Sequence, residues 1–143
     1  MAIRKAKAVW EGKLRDGKGT FAGGSGKFSG TYDFGSRFGE SAGTNPEELV
    51  GAAHAGCFSM ALAGGLERAG FPPTHIETSA DVTVEKLEVG FRITSIVLTC
   101  RAQVAGIDAA TFATVAEATK TGCPVSAALA AVPVITLDAQ LTS

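Results

Sequence analysis

Residues 44–70 read TNPEELVGAAHAGCFSMALAGGLERAG, and this stretch decides the fold. It begins like a helix, because Thr44 and Asn45 are both capping residues and a proline and two glutamates follow them. From there to about Arg68, apolar and small side chains occupy nearly every position, which is typical of a helix buried on all sides. Gly70 and the two prolines after it end the predicted helix.

Strands are predicted on both sides of this helix. Residues 2–10 alternate in polarity, and the many glycines between positions 12 and 30 divide the next stretch into short strands and turns. Two strands joined by a hairpin turn, two helices and a last strand are predicted after it, at residues 75–89, 91–104, 108–120, 125–131 and 134–141. This order predicts an α+β fold.

Composition limits the class of protein. The chain has 143 residues, 45% of them hydrophobic and 19% charged, with a net charge of −1, which predicts a single domain over residues 1–143. So small a net charge gives no large field to attract nucleic acid or anionic lipid. The long apolar stretch contains His54 and several glycines, which makes a poor membrane span, and no secretion signal precedes it. We expect a soluble, cytoplasmic protein with neither nucleic acid nor a membrane as partner.

Three cysteines are the first candidates for chemistry. No CxxC pair occurs among them, so neither a zinc ribbon nor a disulfide scaffold fits. Cys57 lies in the long helix three residues after His54, on a shared helix face. Cys123 directly precedes a proline at the start of a predicted helix, where backbone N–H groups stabilise a thiolate. Packing is the alternative for both, and it is the interpretation for Cys100, which follows two apolar residues on one strand face.

A thiolate at Cys57 needs a cation, because an ordinary thiol is mostly protonated at neutral pH and a mid-helix residue gains little from its own helix dipole. The candidate is Arg37, between aromatic residues and glycines, with a plain surface cation as the alternative. Glu47 has a structural explanation, since Thr44 and Glu47 have capping-box spacing. Four apolar side chains are candidates for the walls of a substrate pocket, with the core as the alternative: Phe34, Phe38, Phe58 and Met60.

Together these residues form a recognisable pattern. Arg37-Phe38-Gly39-Glu40, followed by residues 43–61 with Asn-Pro-Glu-Glu-Leu and a cysteine ten residues after the first glutamate, closely resembles the OsmC/Ohr family of bacterial thiol peroxidases. Gly122-Cys123-Pro124-Val125-Ser126 resembles the second cysteine motif of that family. The resemblance runs the length of the chain, and His54 and the placement of Arg37 match the OsmC branch.

The resemblance implies an OsmC-like fold, with antiparallel sheets around a long buried central helix, in an intertwined homodimer with active sites at the subunit interface. It implies reduction of organic hydroperoxides and hydrogen peroxide in oxidative and osmotic stress defence, with no metal, haem or flavin. Cys57 matches the peroxidatic cysteine and Cys123 the resolving cysteine. Arg37 matches the arginine that holds thiolate and peroxide, and Glu47 the carboxylate that orients it. The implied reductant is a lipoyl-type dithiol or a small thiol.

Helix geometry adds an expectation of its own. Glu47 and Cys57 are ten residues apart, which corresponds to about 15 Å along the helix axis and about 80° around it. Glu47 is therefore not expected to touch Cys57 of its own chain, and our hypothesis is that the Arg37–Glu47 pair serves Cys57 of a partner chain. Glu48 points nearly opposite Cys57 and is assigned to the helix start alone.

Two other functions remain open from the sequence. His54, Cys57 and Cys123 offer three ligands for a metal, although zinc sites more often show CxxC spacing. A non-catalytic binder of small molecules or lipids, using the cleft of the same dimer, is the second alternative. Its function would survive replacement of Cys57 by serine.

Overall fold

The computed structural model describes residues 1–142 of the chain. They divide into two compact units, one comprising Met1–Leu49 and the other starting at Val50. The long helix begins in the first unit and continues in the second.

A three-stranded antiparallel sheet forms most of the first unit. Its strands, in the order β1-β2-β3, are β1 (Ala6–Glu11), β2 (Lys18–Gly23) and β3 (Ser29–Tyr32). The Tyr32 ring stacks on Phe21 with 4.0 Å between the ring centroids. A Cβ atom on Gly19 would lie 2.3 Å from the Tyr32 ring, so only glycine leaves room for the tyrosine at this position.

A short helix, α1 (Phe34–Phe38), follows the sheet and was not predicted. It is held by a capping box, in which the Ser36 backbone N–H donates to Asp33 Oδ1 (2.7 Å) and the Asp33 N–H donates to Ser36 Oγ (2.9 Å). The Ser36 hydroxyl also donates to the carbonyl of Thr44 (2.8 Å), which ties α1 to the segment before the long helix.

The long helix, α2, spans Pro46–Arg68 as predicted. Asn45 is its cap, because Asn45 Oδ1 accepts the backbone N–H of Glu48 (2.8 Å). The predicted capping box between Thr44 and Glu47 is therefore wrong, and the Glu47 carboxylate is engaged elsewhere. The assignment of Glu48 to the helix start is confirmed, since its carboxylate accepts the Thr44 hydroxyl (2.6 Å).

The apolar residues of α2 are divided between two faces. Buried residues recur every four positions at His54, Phe58, Leu62 and Leu66. Small residues and Met60, with 81% of its surface exposed, lie outside that stripe. By length and hydropathy α2 is able to cross a bilayer, a test that the central helix of a globular protein also passes.

A second three-stranded sheet lies in the second unit. It consists of β4 (Pro73–Leu87), β5 (Gly90–Val104) and β6 (Val134–Leu141) in that order. β4 and β5 form the predicted antiparallel hairpin. β6 pairs parallel to β5, so this sheet is mixed, because α3 (Ala109–Gly122) and α4 (Pro124–Ala128) carry the chain back before β6 begins.

The core of the second unit is formed by α2, β5 and α3. Phe58, Leu62 and Leu66 of α2 pack with residues of the other two elements, among them Cys100 and Phe112. Cys100 is fully buried, and burial raises the pKa of its thiol, outweighing the opposing effects of the Thr78 hydroxyl and the Arg101 charge. The prediction that Cys100 is a packed thiol is confirmed.

Candidate active site

Cys57 and Cys123 come together in the second unit, although 66 positions separate them in sequence. Cys57 lies on α2 and is partly exposed, whereas Cys123 lies between α3 and α4 and is fully buried. The Cys123 thiol lies close enough to Cys57 to raise the pKa of the Cys57 thiol. The chain thus places a partly exposed cysteine near a fully buried one.

The first turn of α4 holds both sulfurs. Cys123 is the cap of this helix, and its Sγ accepts the backbone N–H of Ser126 (3.3 Å). The backbone N–H of Val125 lies near the Cys57 sulfur and lowers the pKa of its thiol. Pro124, which has no N–H, occupies the first helical position, so the next two residues carry the N–H groups that face the sulfurs. This geometry explains the Cys-Pro-Val-Ser motif, because the cysteine caps the helix, the proline occupies the first helical position and the next two residues supply the N–H groups.

The surroundings of Cys57 favour the protonated thiol. Burial raises the pKa of Cys57, and the neighbouring Cys123 raises it further through its hydrogen bond and charge. The Val125 N–H acts in the opposite direction without reversing the shift. A reactive thiolate at Cys57 consequently requires a further positive charge close to the sulfur.

In the first unit, Arg37 binds Glu47 through a two-pronged ion pair. Nε of Arg37 donates to Oε1 and Oε2 of Glu47 (3.1 and 3.2 Å), and Nη2 donates to Oε1 (2.8 Å). The Glu47 side chain is 8% exposed and that of Arg37 is 37% exposed. A guanidinium held along one edge in this way is fixed in orientation, and its Nη1 edge faces away from the carboxylate.

An apolar cavity of about 250 Å³ lies beside Arg37. Its lining residues are Trp10, Leu14, Tyr32, Asp33, Phe34, Arg37 and Phe38. The Arg37 guanidinium lies over the Phe38 ring, 5.0 Å from its centroid, and the Phe34 and Phe38 centroids are 5.1 Å apart. Phe34 and Phe38 therefore lie at a cavity beside the candidate cation.

The other two predicted pocket residues lie elsewhere. Phe58 is fully buried among the core residues of the second unit, where it supports α2 and presents no surface to a ligand. Met60 is highly exposed on α2. For Phe58 the core interpretation is correct, because its position in the helix coincides with the buried stripe.

His54 is fully buried and is linked to Cys123, not to Cys57 as its place on the helix face suggested. Its Nε2 lies 2.6 Å from Ser126 Oγ, and Ser126 Oγ accepts the Cys123 thiol at 3.0 Å. Ser126 was not singled out as a functional residue from the sequence. The available signal was its spacing, because the third residue after a helix cap has its N–H, and here also its hydroxyl, close to the capping side chain.

A metal centre has no visible ligand set here. Within residues 1–142, no three histidine, cysteine, aspartate or glutamate side chains are grouped so that they would hold an ion.

Comparison with known proteins places this arrangement in a family. The sequence model of the family described as "OsmC-like protein" matches residues 39–138. The chain is 52% identical over 141 residues to Peroxiredoxin OsmC of Escherichia coli (strain K12), covering 98% of this chain and 97% of that protein.

Solved structures share the fold at low sequence identity. An OsmC-like protein from Mycoplasma pneumoniae superposes with a TM-score of 0.78 at 14% identity, covering 99% of both chains. The organic hydroperoxide resistance protein OhrB of Bacillus subtilis superposes with a TM-score of 0.67 at 22% identity, covering 96% of this chain and 98% of that one. With the family match over most of its length and a relative that shares half of its residues, this chain belongs to the OsmC-like protein family.

Proposed function

We propose that this chain is a cysteine-based peroxidase, in which Cys57 reduces organic hydroperoxides and hydrogen peroxide and Cys123 resolves the oxidised product. The peroxidase class rests on the 52% identity to a protein named Peroxiredoxin OsmC. The observation that carries the two roles is the proximity of a partly exposed cysteine and a fully buried one, close enough for Cys123 to raise the pKa of Cys57. A peroxide reaches only the exposed sulfur, and the buried one is protected until its neighbour is oxidised.

The first step is an attack of the Cys57 thiolate on a peroxide oxygen. The O–O bond breaks, an S–O bond forms, and the leaving alkoxide takes up a proton to become the alcohol, or water when the substrate is hydrogen peroxide. Cys57 is left as a sulfenic acid, which further peroxide would oxidise irreversibly if it were not captured. Capture requires a second thiol in contact with Cys57, and Cys123 is that thiol.

The second step joins the two sulfurs, and a reductant then resets them. Cys123 displaces the sulfenic oxygen as water and forms the Cys57–Cys123 disulfide. A lipoyl-type dithiol, or two small thiols in succession, then attacks the more accessible Cys57 side of the disulfide and is oxidised to a disulfide as both cysteines are released. This role makes the protein part of the defence against oxidative and osmotic stress.

Arg37 is proposed as the missing positive charge at Cys57, oriented by Glu47. It stabilises the thiolate and the alkoxide that departs from the peroxide. α2 is continuous from Pro46 to Arg68, and ten residues of helix correspond to about 15 Å between the levels of Glu47 and Cys57. This spacing supports an arrangement in which the Arg37–Glu47 pair of one subunit serves Cys57 of the other.

A homodimer is the proposed assembly. The apolar residues of α2 that lie outside its buried stripe, with Met60 at their centre, form a face of the kind that a second copy covers. The OsmC family match runs across both units, which supports treating residues 1–143 as a single OsmC-like domain. The protein is soluble, and we propose that it is cytoplasmic, since free thiols persist in a reducing compartment.

The apolar cavity beside Arg37 is the proposed place for the organic part of the peroxide. Its aromatic walls, including Phe34 and Phe38, suit an alkyl or aryl group, and the guanidinium at its edge suits the polar peroxide end. A non-catalytic binder using this cavity is the second candidate, and it predicts that Cys57→Ser changes nothing in function.

The test of the peroxidase is stopped-flow oxidation of the reduced protein by cumene hydroperoxide. One Cys57 thiol is expected to disappear per peroxide consumed, followed by one Cys57–Cys123 disulfide identified by peptide mass. Cys57→Ser is expected to consume no peroxide. Peroxide consumption by that variant, or an oxidised protein without this disulfide, would overturn the proposal.

Subunit complementation tests the arrangement across the dimer. A mixed dimer of one Cys57→Ser chain and one Arg37→Met chain contains one intact Cys57 and one intact Arg37, on different subunits. If Arg37 serves the partner, the mixed dimer regains one working site, although each parent homodimer is inactive or slow. If Arg37 serves its own chain, mixing restores nothing.

A further inference from the structure

Three side chains form a hydrogen-bonded line that begins at Cys123. The Cys123 thiol donates to Ser126 Oγ (3.0 Å), and Ser126 Oγ lies 2.6 Å from Nε2 of His54. All three residues are buried, His54 and Cys123 completely. The line joins α2 to the first turn of α4, and His54 lies one helical turn before Cys57.

The geometry suits a neutral His54. With the Ser126 oxygen accepting the Cys123 thiol, the Ser126 hydroxyl can donate to Nε2 of an imidazole that is protonated at Nδ1. Nδ1 is buried and has no hydrogen-bond partner within residues 1–142. Burial also lowers the pKa of His54, which keeps the imidazole neutral.

A buried histidine with one unpartnered nitrogen is poorly suited to packing alone. An apolar side chain in the same stripe of α2, such as those at Phe58 and Leu62, fills space without leaving a polar atom unsatisfied. We therefore expect the role of His54 to lie at Nε2, where the neutral imidazole faces the Ser126 hydroxyl, which is hydrogen-bonded to the Cys123 thiol.

We propose that His54, acting through Ser126, takes up the Cys123 proton when Cys123 attacks the sulfenic acid of Cys57. The inference rests on the proposed function, in which Cys123 is the resolving cysteine, and it adds the route by which that buried thiol loses its proton. His54 is thus a positioning residue that sets the protonation of Cys123 and does not touch the peroxide.

The step balances without a further reactant. The Cys123 sulfur attacks the Cys57 sulfur, an S–S bond forms and the S–O bond of the sulfenic acid breaks. The thiol proton passes to Ser126 Oγ while the hydroxyl proton of Ser126 passes to His54 Nε2. The departing hydroxide takes a proton from the imidazolium, so the products are one disulfide, one water and neutral His54.

The same three groups also serve the reverse transfer. With a protonated His54, Nε2–H donates to Ser126 and the Ser126 hydroxyl donates to a Cys123 thiolate, so every distance suits both states. When a reductant attacks the Cys57 sulfur of the disulfide, Cys123 leaves as a thiolate. His54 is neutral after the oxidation step, so the proton that the reductant thiol releases on attack passes first to His54 and then through Ser126 to Cys123. Cys123 is fully buried in this chain, which makes an internal acceptor more accessible to it than solvent.

The experiment separates the two oxidation steps by stopped flow, following Cys57 sulfenic acid formation and then disulfide formation after one addition of cumene hydroperoxide. The variants are His54→Gln, whose amide can bind Ser126 but cannot take a proton, and Ser126→Ala. Each is expected to form the sulfenic acid at close to the normal rate. Each is expected to form the disulfide at least about a hundredfold more slowly.

Ser59→Ala is the matched control. Ser59 Oγ donates to Thr78 Oγ1 (2.7 Å). Ser59→Ala therefore removes a different side-chain hydrogen bond of α2 and leaves the hydrogen bonds among Cys123, Ser126 and His54 unchanged. Both oxidation steps should keep their rates in this variant. Ser126→Thr restores a hydroxyl and is expected to recover disulfide formation. This recovery separates a proton route from simple support of the fold.

Disulfide formation at the normal rate in His54→Gln would overturn the proposal, as would equal slowing of both steps in His54→Gln and Ser126→Ala. A Ser126→Thr variant as slow as Ser126→Ala, with a normal first step, would also overturn it. These results differ from failure of the proposed function, in which the unmodified protein itself forms no sulfenic acid or no Cys57–Cys123 disulfide.

Discussion

Arg37 binds both carboxylate oxygens of Glu47, and this pair lies in one compact unit while the two reactive thiols lie in the other. Burial raises the pKa of the Cys57 thiol, and among the described residues of that unit the Val125 N–H is the group that acts to lower it. If Arg37 supplies the positive charge at Cys57, as we propose, its arrival beside the sulfur is the step that should convert Cys57 from a protonated thiol to a nucleophile.

Replacing Arg37 by lysine should slow the first oxidation step by about tenfold or more, because a lysine cannot bind both carboxylate oxygens of Glu47 along a planar edge and each lost unit of pKa lowering at Cys57 reduces the thiolate fraction about tenfold. The pH at which the rate is half-maximal should move upward. Stopped-flow rates measured across a pH series provide the check. Arg101→Lys is the control, since Arg101 is also 37% exposed and paired with a carboxylate, that of Asp138; equal effects in both variants would contradict the prediction.

Replacing Cys123 by serine should allow one oxidation of Cys57 and then stop. The thiol that captures the sulfenic acid is gone, so excess peroxide should drive Cys57 to higher, irreversible oxidation states. Mass spectrometry after stepwise peroxide additions should show one added oxygen and then more. Cys100→Ala should retain full turnover, because Cys100 is packed in the core; a stalled Cys100 variant would assign it a role in the reaction.

Two adjacent glycines of α2 should respond in opposite ways to alanine. A Cβ at Gly65 would lie 2.9 Å from Val115 Cγ1 of α3, so Gly65→Ala should lower the melting temperature by forcing α2 and α3 apart. At Gly64 the nearest contact is the flexible end of Arg68 at 3.3 Å. Gly64→Ala should therefore raise the free energy of unfolding by about 0.5–1 kcal/mol through helix propensity. Thermal unfolding of both variants tests the difference.

Asp108 should make stability depend on acid pH. The backbone N–H and hydroxyl of Thr111 lower the pKa of Asp108, the cap of α3. Its contribution is fully present above the unfolded pKa of about 3.9 and is lost as pH falls through the lower folded value. Asp108→Asn keeps a capping side chain but does not titrate, so its urea-unfolding stability should fall less between neutral pH and about pH 3. Identical losses in both proteins would contradict this.

Local sequence signals predicted most of the fold. The start and end of α2, the β4–β5 hairpin and β6 were recognisable because caps, prolines and alternation act within a few residues. α1 was missed because it has only five residues and contains a glycine, which weakens any helical pattern.

The site was less predictable where side chains meet across the sequence. The resemblance identified the motif residues Cys57 and Cys123 and paired Glu47 with Arg37, whereas the capping box, the structural alternative for Glu47, does not form because Arg37 binds the carboxylate. The hydrogen bond between His54 and Ser126 joins residues that are 72 positions apart, and no local sequence pattern predicts such a contact.

The contact between Cys57 and Cys123 has a consequence for how the protein endures the conditions in which it works. A covalent link between these sulfurs closes a loop of roughly 65 residues, which would stabilise the folded chain by about 4 kcal/mol on loop-entropy grounds. A molecule caught in its oxidised form would then be harder to unfold than one at rest. Exposure to oxidant would therefore raise the resistance of the enzyme to heat and proteolysis until a reductant cleaves the disulfide.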